Sequence, residues 1–517
     1  MTLYQWFILF LVVQIIHYVG TWKLYEKAGR KSWEAAVPVY NAMILMKIIN
    51  RPWWWTFLLF IPIINLIMFP VVWVETLRSF GKNSTLDTIL GVATFGLYIY
   101  FINYTQDVQH IKERSLHPKN ATADFISSIL FAIVVATTVH TYVMQPYTIP
   151  TSSLEKSLLV GDFLFVSKFH YGARTPSTAI AFPMVHDTIP LLKKKSYFNF
   201  PQLPYFRFPA LQKIERNEIV VFNWPTDTVK YFGDKRSIGI RKPIDKKSNY
   251  VKRCVGIAGD SLEIKNGDVY VNGKILPLHD RQKLQYSYEV VTDGSGFSYE
   301  YIIKELKITD RVDQMSPTRY LFRAMTDENA IRLRNNPVVQ SVTKIEEKEG
   351  YTQIFPHTKN WNVDNFGPIY IPEAGKTVAL NKETLAYYAM IIKEYEKNDL
   401  MINGDEIRIN GEVANSYTFK QDYFWMMGDN RHNSEDSRFW GYVPADHIVG
   451  KPVFIWMSLD QNTPWGKLFD KIRWERMFTT VGGDGAPTSY FKFFLIFLAG
   501  WFGFDFYRKR KKKKETS

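Results

Sequence analysis

The sequence predicts an α-helical transmembrane anchor followed by a mainly-β soluble domain. Apolar residues of the 517-residue chain are concentrated towards its two ends, whereas the middle consists of short β-rich runs separated by Gly, Asn and Asp. A chain of this length has room for two or more domains, so a membrane part and a soluble part can coexist. The overall hydropathy is too low for a protein that is buried in a membrane throughout.

Four apolar segments before residue 145 each supply about the 20 residues that an α-helix needs to cross a bilayer. They are residues 3–20, 53–74, 88–104 and 125–143. Pro62 and Pro70 predict a kink in the second segment. A shorter fifth candidate lies at residues 493–507. A cleaved signal sequence is the alternative for the first segment, but no basic stretch precedes it and no convincing small-residue cleavage site follows it.

The distribution of Lys and Arg indicates how the chain is oriented in the membrane and which partner its basic tail binds. Loop 21–51 carries six Lys or Arg residues and loop 75–87 only two, which places the first loop inside, residues 145–488 outside and the carboxyl-terminal tail in the cytoplasm. The formal net charge is +14, but seven basic residues form one run at 508–514, directly after an apolar segment. That position favours anionic lipid over nucleic acid as the partner. Cys254 is the sole cysteine, which excludes an intrachain disulfide.

The middle of the chain predicts an all-β, partly barrel-like domain. Residues 162–166, 218–222 and 250–253 are strand-like, and two further runs contain Asn-Gly pairs that favour tight hairpin turns. These two runs are residues 261–273 and 406–411. Residues 175–213 are rich in Pro, Phe and Tyr and carry three consecutive lysines at 193–195. The sequence leaves open whether this stretch rests on the lipid surface or packs on the β domain.

Three separated motifs carry the functional signal. They are Ile149-Pro150-Thr151-Ser152-Ser153-Leu154-Glu155-Lys156-Ser157-Leu158, then Lys252-Arg253, then Gly428-Asp429-Asn430-Arg431-His432-Asn433-Ser434-Glu435-Asp436-Ser437-Arg438. Together they resemble the catalytic boxes of the bacterial type I signal peptidases, membrane-anchored serine proteases whose base is a lysine. The resemblance covers residues 145–172, 214–274 and 404–457. Residues 280–400 fall where this family varies most, so the resemblance implies an inserted β-rich cap there.

The resemblance assigns the chemistry to two side chains. A serine hydroxyl is a weak nucleophile without a neighbouring base, and a lysine serves as that base near neutral pH only if burial destabilises its ammonium. The resemblance implies that Ser153 is the nucleophile and Lys252 the base. It also implies that the Thr151 hydroxyl and the Ser153 backbone N–H bind the oxyanion. Two departures are visible: Leu154 replaces the usual methionine, and Glu155-Lys156 replaces the usual Met-Pro pair.

Supporting roles follow from the same resemblance. Ser434 is expected to orient the lysine amine, and Asp436 and Arg438 to form an ion pair that holds the site. Substrate pockets are expected to be lined by Tyr147, Ile149 and Val251, with residues 145–153 and 249–252 as the strands that bracket the peptide. His432 does not indicate a Ser-His protease, because no paired acid is evident.

The function implied is a membrane-bound serine endopeptidase that cleaves signal peptides from exported preproteins, without a cofactor or metal. The catalytic domain is expected on the outer side of the inner membrane, and no nucleic acid is expected as a partner. A self-cleaving repressor-type Ser/Lys peptidase and a non-catalytic membrane assembly factor are the alternatives. The membrane segments argue against the first and the intact motifs against the second.

The predicted organisation has six parts. These are a membrane region at residues 1–122, an anchor at 123–144, a catalytic domain at 145–279 and 401–480, a cap at 280–400, a span at 489–507 and a basic tail at 508–517.

Overall fold

The computed structural model describes residues 1–116, 121–229 and 239–515, so the last two residues of the predicted tail lie outside the described part of the chain. The chain forms two compact units. The helical unit consists of Met1–Val143, Arg174–Phe208 and Thr228–Lys247, and the β unit consists of Met144–Ala173, Pro209–Asp227 and Ser248–Ser517. A helical part and a mainly-β part confirm the predicted fold class. The domain boundaries drawn from the sequence stay predictions.

The helical unit is built from one long amino-terminal helix, several short helices and a second long helix. In chain order they are α1 (Leu3–Lys27), α2 (Tyr40–Ile48), α3 (Trp55–Leu58), α4 (Ile64–Ser79), α5 (Thr85–Ala93), α6 (Tyr98–Thr105) and α7 (Ala121–Thr138), with a π-helical turn at Val139–Val143. The start of α1 is fixed by a capping box, in which Thr2 and Gln5 satisfy each other's backbone N–H groups.

Two helices of the described residues are long and apolar enough to cross a membrane, namely Leu3–Lys27 and Ala121–Val143. The pair α5 and α6 raises this number to three if the two helices, bent by 118°, count as one span. The predicted segment 53–74 is divided into α3 and α4 because Pro62 and the left-handed Ile63 interrupt the helix. The orientation and the remaining crossings therefore stay predictions.

Between the two long helices the chain packs around its own core, which includes a buried charge. Glu75 on α4 is 5% exposed and accepts hydrogen bonds from the guanidinium groups of Arg51, at 2.9 Å, and of Arg114. A buried carboxylate is tolerated only with such partners. Glu75 thus connects α4 to the segments that carry Arg51 and Arg114.

Residues 174–208, here called the hairpin segment, fold back on themselves within the helical unit. Isolated bridges join Thr178 to Gln202 and Thr188 to Lys195. The Trp6 indole of α1 donates to the Gln202 carbonyl at 3.0 Å, which connects the segment to the start of the first long helix. Several large apolar side chains of the segment are exposed, among them Leu191 at 96%.

The β unit is organised around one antiparallel sheet. Its strands are β1 (Met144–Thr148), β2 (Asp162–Ser167), β3 (Ile219–Asn223), β4 (Asn249–Gly256), β5 (Ser261–Lys265), β6 (Asp268–Val271), β7 (Lys274–Ile275), β8 (Tyr286–Thr292), β9 (Val312–Ser316), β10 (Arg319–Met325), β11 (Val339–Lys344), β12 (Phe366–Tyr370), β13 (Thr377–Ala379), β14 (Leu400–Asn403), β15 (Glu406–Ile409), β16 (Glu412–Val413), β17 (Ser416–Thr418), β18 (Tyr423–Met427), β19 (Val443–Pro444), β20 (Ile448–Ser458) and β21 (Thr479–Thr480). The main sheet has the order β1-β2-β20-β3-β4-β18-β19, with β21 beside β20.

The helices of this unit are short except for the last. They are α8 (Asp327–Arg334), α9 (Lys382–Met390), α10 (Ser437–Trp440), α11 (Leu468–Lys471) and α12 (Phe491–Glu515). The apolar part of α12 ends at Tyr507, where the basic run begins, and α12 is not among the helices that meet the length and hydropathy requirement for a span. Its membrane crossing stays a prediction.

The main sheet separates two hydrophobic cores. Along β3, Ile219 and Val221 belong to one core, whereas Val220 and Phe222 belong to the other. This is the alternation expected when both faces of a strand are covered. The first core also contains Ile149 and is adjoined by Val251.

The stretch between β7 and β18, here called the inserted part after the cap predicted for residues 280–400, contains a small sheet with its own core. Strands β11-β8-β10-β9 form this sheet, and their apolar faces enclose Tyr288, Val290 and Phe322 with α8. Residues 354–395 contribute instead to a core shared with β5, β6 and β18. The predicted Asn-Gly hairpins are confirmed at Asn266-Gly267 and Asn410-Gly411, where both residues of each pair have the positive φ that this turn requires.

Candidate active site

Ser153 lies in a tight turn directly after the edge strand β1. A 3₁₀ turn spans Ser152–Leu154. Leu154 is 1% exposed and anchors the turn in the core that also contains Ile219 and Val221. The Ser153 side chain is buried, and its carbonyl accepts a hydrogen bond from the backbone N–H of Asn430 at 3.1 Å. The hydroxyl is thus presented by a turn that is held at both its side chains and its backbone.

Lys252 reaches this hydroxyl from an interior strand. It lies on β4, which is flanked by β3 and β18, and its side chain is buried. Its Nζ donates to Ser153 Oγ at 2.5 Å and lies 5.6 Å from the centre of the Tyr250 ring. The structure therefore brings together the serine and the lysine that the sequence singles out, although 99 positions separate them in the chain.

Burial sets the protonation of the amine. Loss of solvent lowers the pKa of Lys252 from 10.5 to about 8, although the neighbouring carboxylates of Asp436, Glu435 and Asp429 act in the opposite direction. Arg438 adds a smaller lowering effect on the pKa. A substantial fraction of the amine is consequently uncharged near neutral to mildly alkaline pH.

The Gly428–Arg438 motif approaches the turn so closely that its first position excludes a side chain. A Cβ on Gly428 would lie 2.6 Å from the Ser153 carbonyl oxygen and 2.3 Å from Ser434 Oγ. The backbone N–H of Gly428 donates to Asp436 at 3.0 Å. Glycine is required here by contact with the nucleophile turn and not by its backbone angles.

Asp436 and Arg438 form the expected ion pair. Both side chains are at most 1% exposed, and the guanidinium donates to the two carboxylate oxygens at 2.9 and 2.8 Å. Burial disfavours the carboxylate, but Arg438, together with the Gly428 N–H and Lys252, outweighs this effect and holds the pKa of Asp436 below its usual range. Arg438 also donates to the carbonyls of Val363 and Arg431, so the pair fixes two neighbouring segments.

A second buried ion pair was not expected from the sequence. Arg253 donates to Asp429 through two nitrogens, at 2.7 and 2.6 Å, and Ser157 Oγ donates to the same carboxylate at 2.6 Å. This ion pair and its contact with Ser157 join residues from all three motifs. The sequence signal that could have indicated the cluster is position: Arg253 follows Lys252, Asp429 lies within the Gly428–Arg438 motif, and Ser157 lies shortly after Ser153.

The structure also places the residues predicted to bind the oxyanion, to orient the lysine and to line the substrate pockets. Thr151 is exposed and extended, two positions before Ser153. Ser434 Oγ is buried and makes no hydrogen bond among the described residues, so the expected bond to the lysine amine is not present and the role of Ser434 stays a prediction. Ile149 belongs to the core that contains Ile219 and Val221, and Tyr147 and Val251 pack against this core. Their roles as pocket residues also stay predictions.

The chain belongs to the signal peptidases of family S26: the family described as "Signal peptidase, peptidase S26" matches residues 122–330 and 371–457. Its enzyme class is therefore that of a peptidase, a hydrolase. Residues 33–113 match a second family, described as of unknown function (DUF5684).

Several characterised relatives are similar over most of their length. Signal peptidase I of Haemophilus influenzae is 24% identical over 380 residues, covering 72% of this chain and 79% of that protein. Signal peptidase I of Helicobacter pylori is 26% identical over 372 residues, covering 69% and 93%. Signal peptidase I of Buchnera aphidicola from Acyrthosiphon pisum is 26% identical over 373 residues, covering 70% and 86%.

The Asp436–Arg438 pair yields a stability prediction. We expect Arg438→Met to lower the free energy of unfolding by about 3–5 kcal/mol, because it leaves the Asp436 carboxylate buried and unpaired. Urea unfolding of the detergent-solubilised protein measures this. The matched control is Arg408→Met, which removes an exposed pair with Glu406 and is expected to cost less than about 1 kcal/mol. Equal losses in the two variants would contradict the structural role of the buried pair.

Proposed function

We propose that this signal peptidase is a membrane-bound serine endopeptidase that works through a Ser153–Lys252 dyad. The observation that carries the proposal is the 2.5 Å hydrogen bond between a buried lysine amine and a buried serine hydroxyl. Desolvation of the amine supplies a base near neutral pH, which a solvated lysine does not. Family membership and the named relatives support signal-peptide cleavage as the reaction.

The dyad performs both halves of an acyl transfer. Ser153 Oγ attacks the scissile carbonyl carbon while its proton passes to the neutral Lys252 amine. The resulting ammonium gives this proton to the leaving amine as the C–N bond breaks, which leaves an ester on Ser153. A water molecule then attacks the ester, Lys252 takes its proton, and that proton returns to Ser153 Oγ when the acid is released.

The negative charge of the tetrahedral intermediate needs donors beside the nucleophile. The Ser153 backbone N–H and the Thr151 hydroxyl are the groups we assign to this role. Both belong to the turn after β1, so they keep a fixed position relative to Oγ. The short 3₁₀ turn supports this assignment.

Substrate binding is proposed along the two strands that carry the dyad. β1 is the end strand of the main sheet, and an extended peptide is able to add to such an edge. On the other side, β4 pairs with β3 over residues 249–253, whereas its opposite edge pairs with β18 from Arg253 onwards, which leaves the edge of residues 249–252 for the peptide. Tyr147, Ile149 and Val251 are then the residues that receive the small side chains before the cleavage site.

Membrane attachment is proposed through α1, α7 and the hairpin segment. Ser153 follows the π-helical turn at Val139–Val143 by only ten residues, 143 to 153. The hairpin segment exposes Leu191, Leu192 and Phe198 next to three lysines, a composition that suits the interface of a bilayer with anionic headgroups. We propose an inner-membrane location with the β unit outside, preproteins as substrates and the basic tail on cytoplasmic lipid.

The dyad is tested by two truncating substitutions. We expect Ser153→Ala and Lys252→Ala each to lower kcat/KM for a synthetic preprotein by roughly 10³-fold or more, because each removes one member of a unit that acts together. Cleavage by the detergent-solubilised protein, with mass analysis of the products, measures the rate and the cut site. Lys265→Ala, at an exposed lysine on β5, is the control and is expected to retain full activity. Normal processing by either dyad variant would refute the mechanism.

The pH dependence follows from the protonation of the amine. Only the neutral form of Lys252 accepts the serine proton, so kcat/KM is expected to rise with pH, with its midpoint at about 8, and to level off at more alkaline pH. Because the Glu435 carboxylate raises the pKa of Lys252, Glu435→Gln is expected to move the midpoint to lower pH. A profile that falls with pH through this range, or a midpoint that moves upward in the variant, would be inconsistent with a lysine base.

The membrane placement is tested with a fluorophore on single cysteines. Cys254 is buried, so Leu192→Cys, Phe131→Cys and Lys376→Cys each offer one accessible thiol for an environment-sensitive dye. In vesicles of phosphatidylethanolamine and phosphatidylglycerol, we expect blue-shifted emission at 131 on α7 and at 192 in the hairpin segment, and aqueous emission at 376. Aqueous emission at 192 would place the hairpin segment off the lipid, whereas aqueous emission at 131 would remove the anchor itself.

A further inference from the structure

The inserted part of the β unit contacts the nucleophile turn directly. Residues 307–310 lie in a loop before β9, and three of them bind residues adjacent to Ser153. Thr309 Oγ1 donates to Glu155 at 2.9 Å, and Lys156 Nζ donates to the Lys307 carbonyl. The loop therefore holds the turn on the side that follows the nucleophile.

Asp310 holds the residue that precedes the nucleophile. Its Oδ1 accepts the Ser152 hydroxyl at 2.7 Å and the Asn433 amide at 3.3 Å, while its Oδ2 accepts the Asn430 amide at 2.7 Å. Asn433 also donates to Ser152 Oγ at 3.2 Å. One carboxylate thus connects the inserted loop, the nucleophile turn and the Gly428–Arg438 motif.

Asn430 transmits this contact to the backbone that carries the nucleophile. Its side-chain amide donates to the Ser152 carbonyl at 3.2 Å, and its backbone N–H donates to the Ser153 carbonyl at 3.1 Å. The Asp310 carboxylate and the Ser152 carbonyl both require the NH₂ group of this amide, since only that group is able to donate. Asp310 therefore helps to hold the Asn430 amide in the orientation in which it binds the turn.

We propose that Asp310 is a positioning residue for catalysis: through Ser152 and Asn430 it fixes the backbone of the turn so that Ser153 Oγ stays within reach of Lys252. The inference rests on the proposed Ser/Lys function. Asp310 touches neither of the reacting side chains and acts through the turn. Catalytic geometry depends on such supporting contacts, and a displacement of about 1 Å is able to cost roughly 100-fold in rate.

Asp310→Asn is the sharpest test because it preserves shape and reverses one hydrogen-bonding role. An amide NH₂ in place of Oδ2 faces the NH₂ of Asn430, and in place of Oδ1 it faces the NH₂ of Asn433 while the Ser152 hydroxyl has to reverse and accept, so one contact with an asparagine amide is lost in either orientation. We expect kcat to fall roughly 10- to 100-fold, with KM for a synthetic preprotein changed less than about threefold. The matched control is Asp313→Asn in the neighbouring strand, where the carboxylate pairs with Arg311 and Arg323. Its kcat is expected to stay within about twofold of the unmodified protein.

A double-substitution cycle separates positioning from a general effect on folding. If the Ser152 hydroxyl is the route, Ser152→Ala alone lowers kcat, and adding Asp310→Asn to it lowers kcat further by a smaller factor than in the unmodified protein. Unchanged kcat in Ser152→Ala, or equal kcat in Asp310→Asn and Asp313→Asn, overturns the proposal. Ser152→Ala remains a test even if Asp310→Asn fails to fold.

Failure of this inference is distinguishable from failure of the proposed function. If Asp310 has no positioning role, the unmodified protein still cleaves and Ser153→Ala still does not. If the dyad itself is wrong, Ser153→Ala retains cleavage whatever Asp310→Asn does.

Discussion

The site depends on one lysine amine that is kept out of water beside a serine hydroxyl. A fall in the pKa of Lys252 from 10.5 to about 8 corresponds to about 3 kcal/mol of destabilisation of the ammonium. Nearby carboxylates oppose this, and two of them, Asp436 and Asp429, are engaged in bidentate pairs with Arg438 and Arg253. Because the two arginines pair with these carboxylates, burial remains the dominant influence on the pKa of Lys252.

The shape of the sheet contributes to the meeting of these two side chains. Ser153 follows β1, Lys252 lies on β4, and three strands separate β1 from β4 in the sheet. In a flat sheet, neighbouring strands are about 4.8 Å apart, so these two strands would be too distant for a hydrogen bond. The curl of the sheet and the residues that lead from the end of β1 at Thr148 to Ser153 together bring the two side chains to their 2.5 Å contact.

Much of this arrangement was predictable from the sequence, and the limits have identifiable causes. The strands around residues 162–166, 218–222 and 250–253 were predicted because their apolar patterns are local, and the motifs indicated the pair at 153 and 252. The helical unit was less predictable: Pro62 predicted a kink but not the complete interruption of the helix at Ile63, and hydropathy does not reveal that Glu75 is paired inside a compact core. Contacts made by the inserted loop lie about 120 to 160 positions apart and leave no local pattern.

The point at which the inserted part meets the Gly428–Arg438 motif explains how it comes to support the nucleophile. Near the start of the inserted part, Gln285 donates to the Asp429 carbonyl at 2.9 Å and accepts from the Arg431 N–H at 2.8 Å, which ties the segment to the Gly428–Arg438 motif. Because Gln285 is held at this motif, the loop at residues 307–310 that follows it is able to reach the turn that carries Ser153. The small sheet β11-β8-β10-β9 gives the loop a rigid base, because its own core fixes the strands on either side. The inserted part is thus a structural component of the site, and its contacts with the turn follow from where it enters the fold.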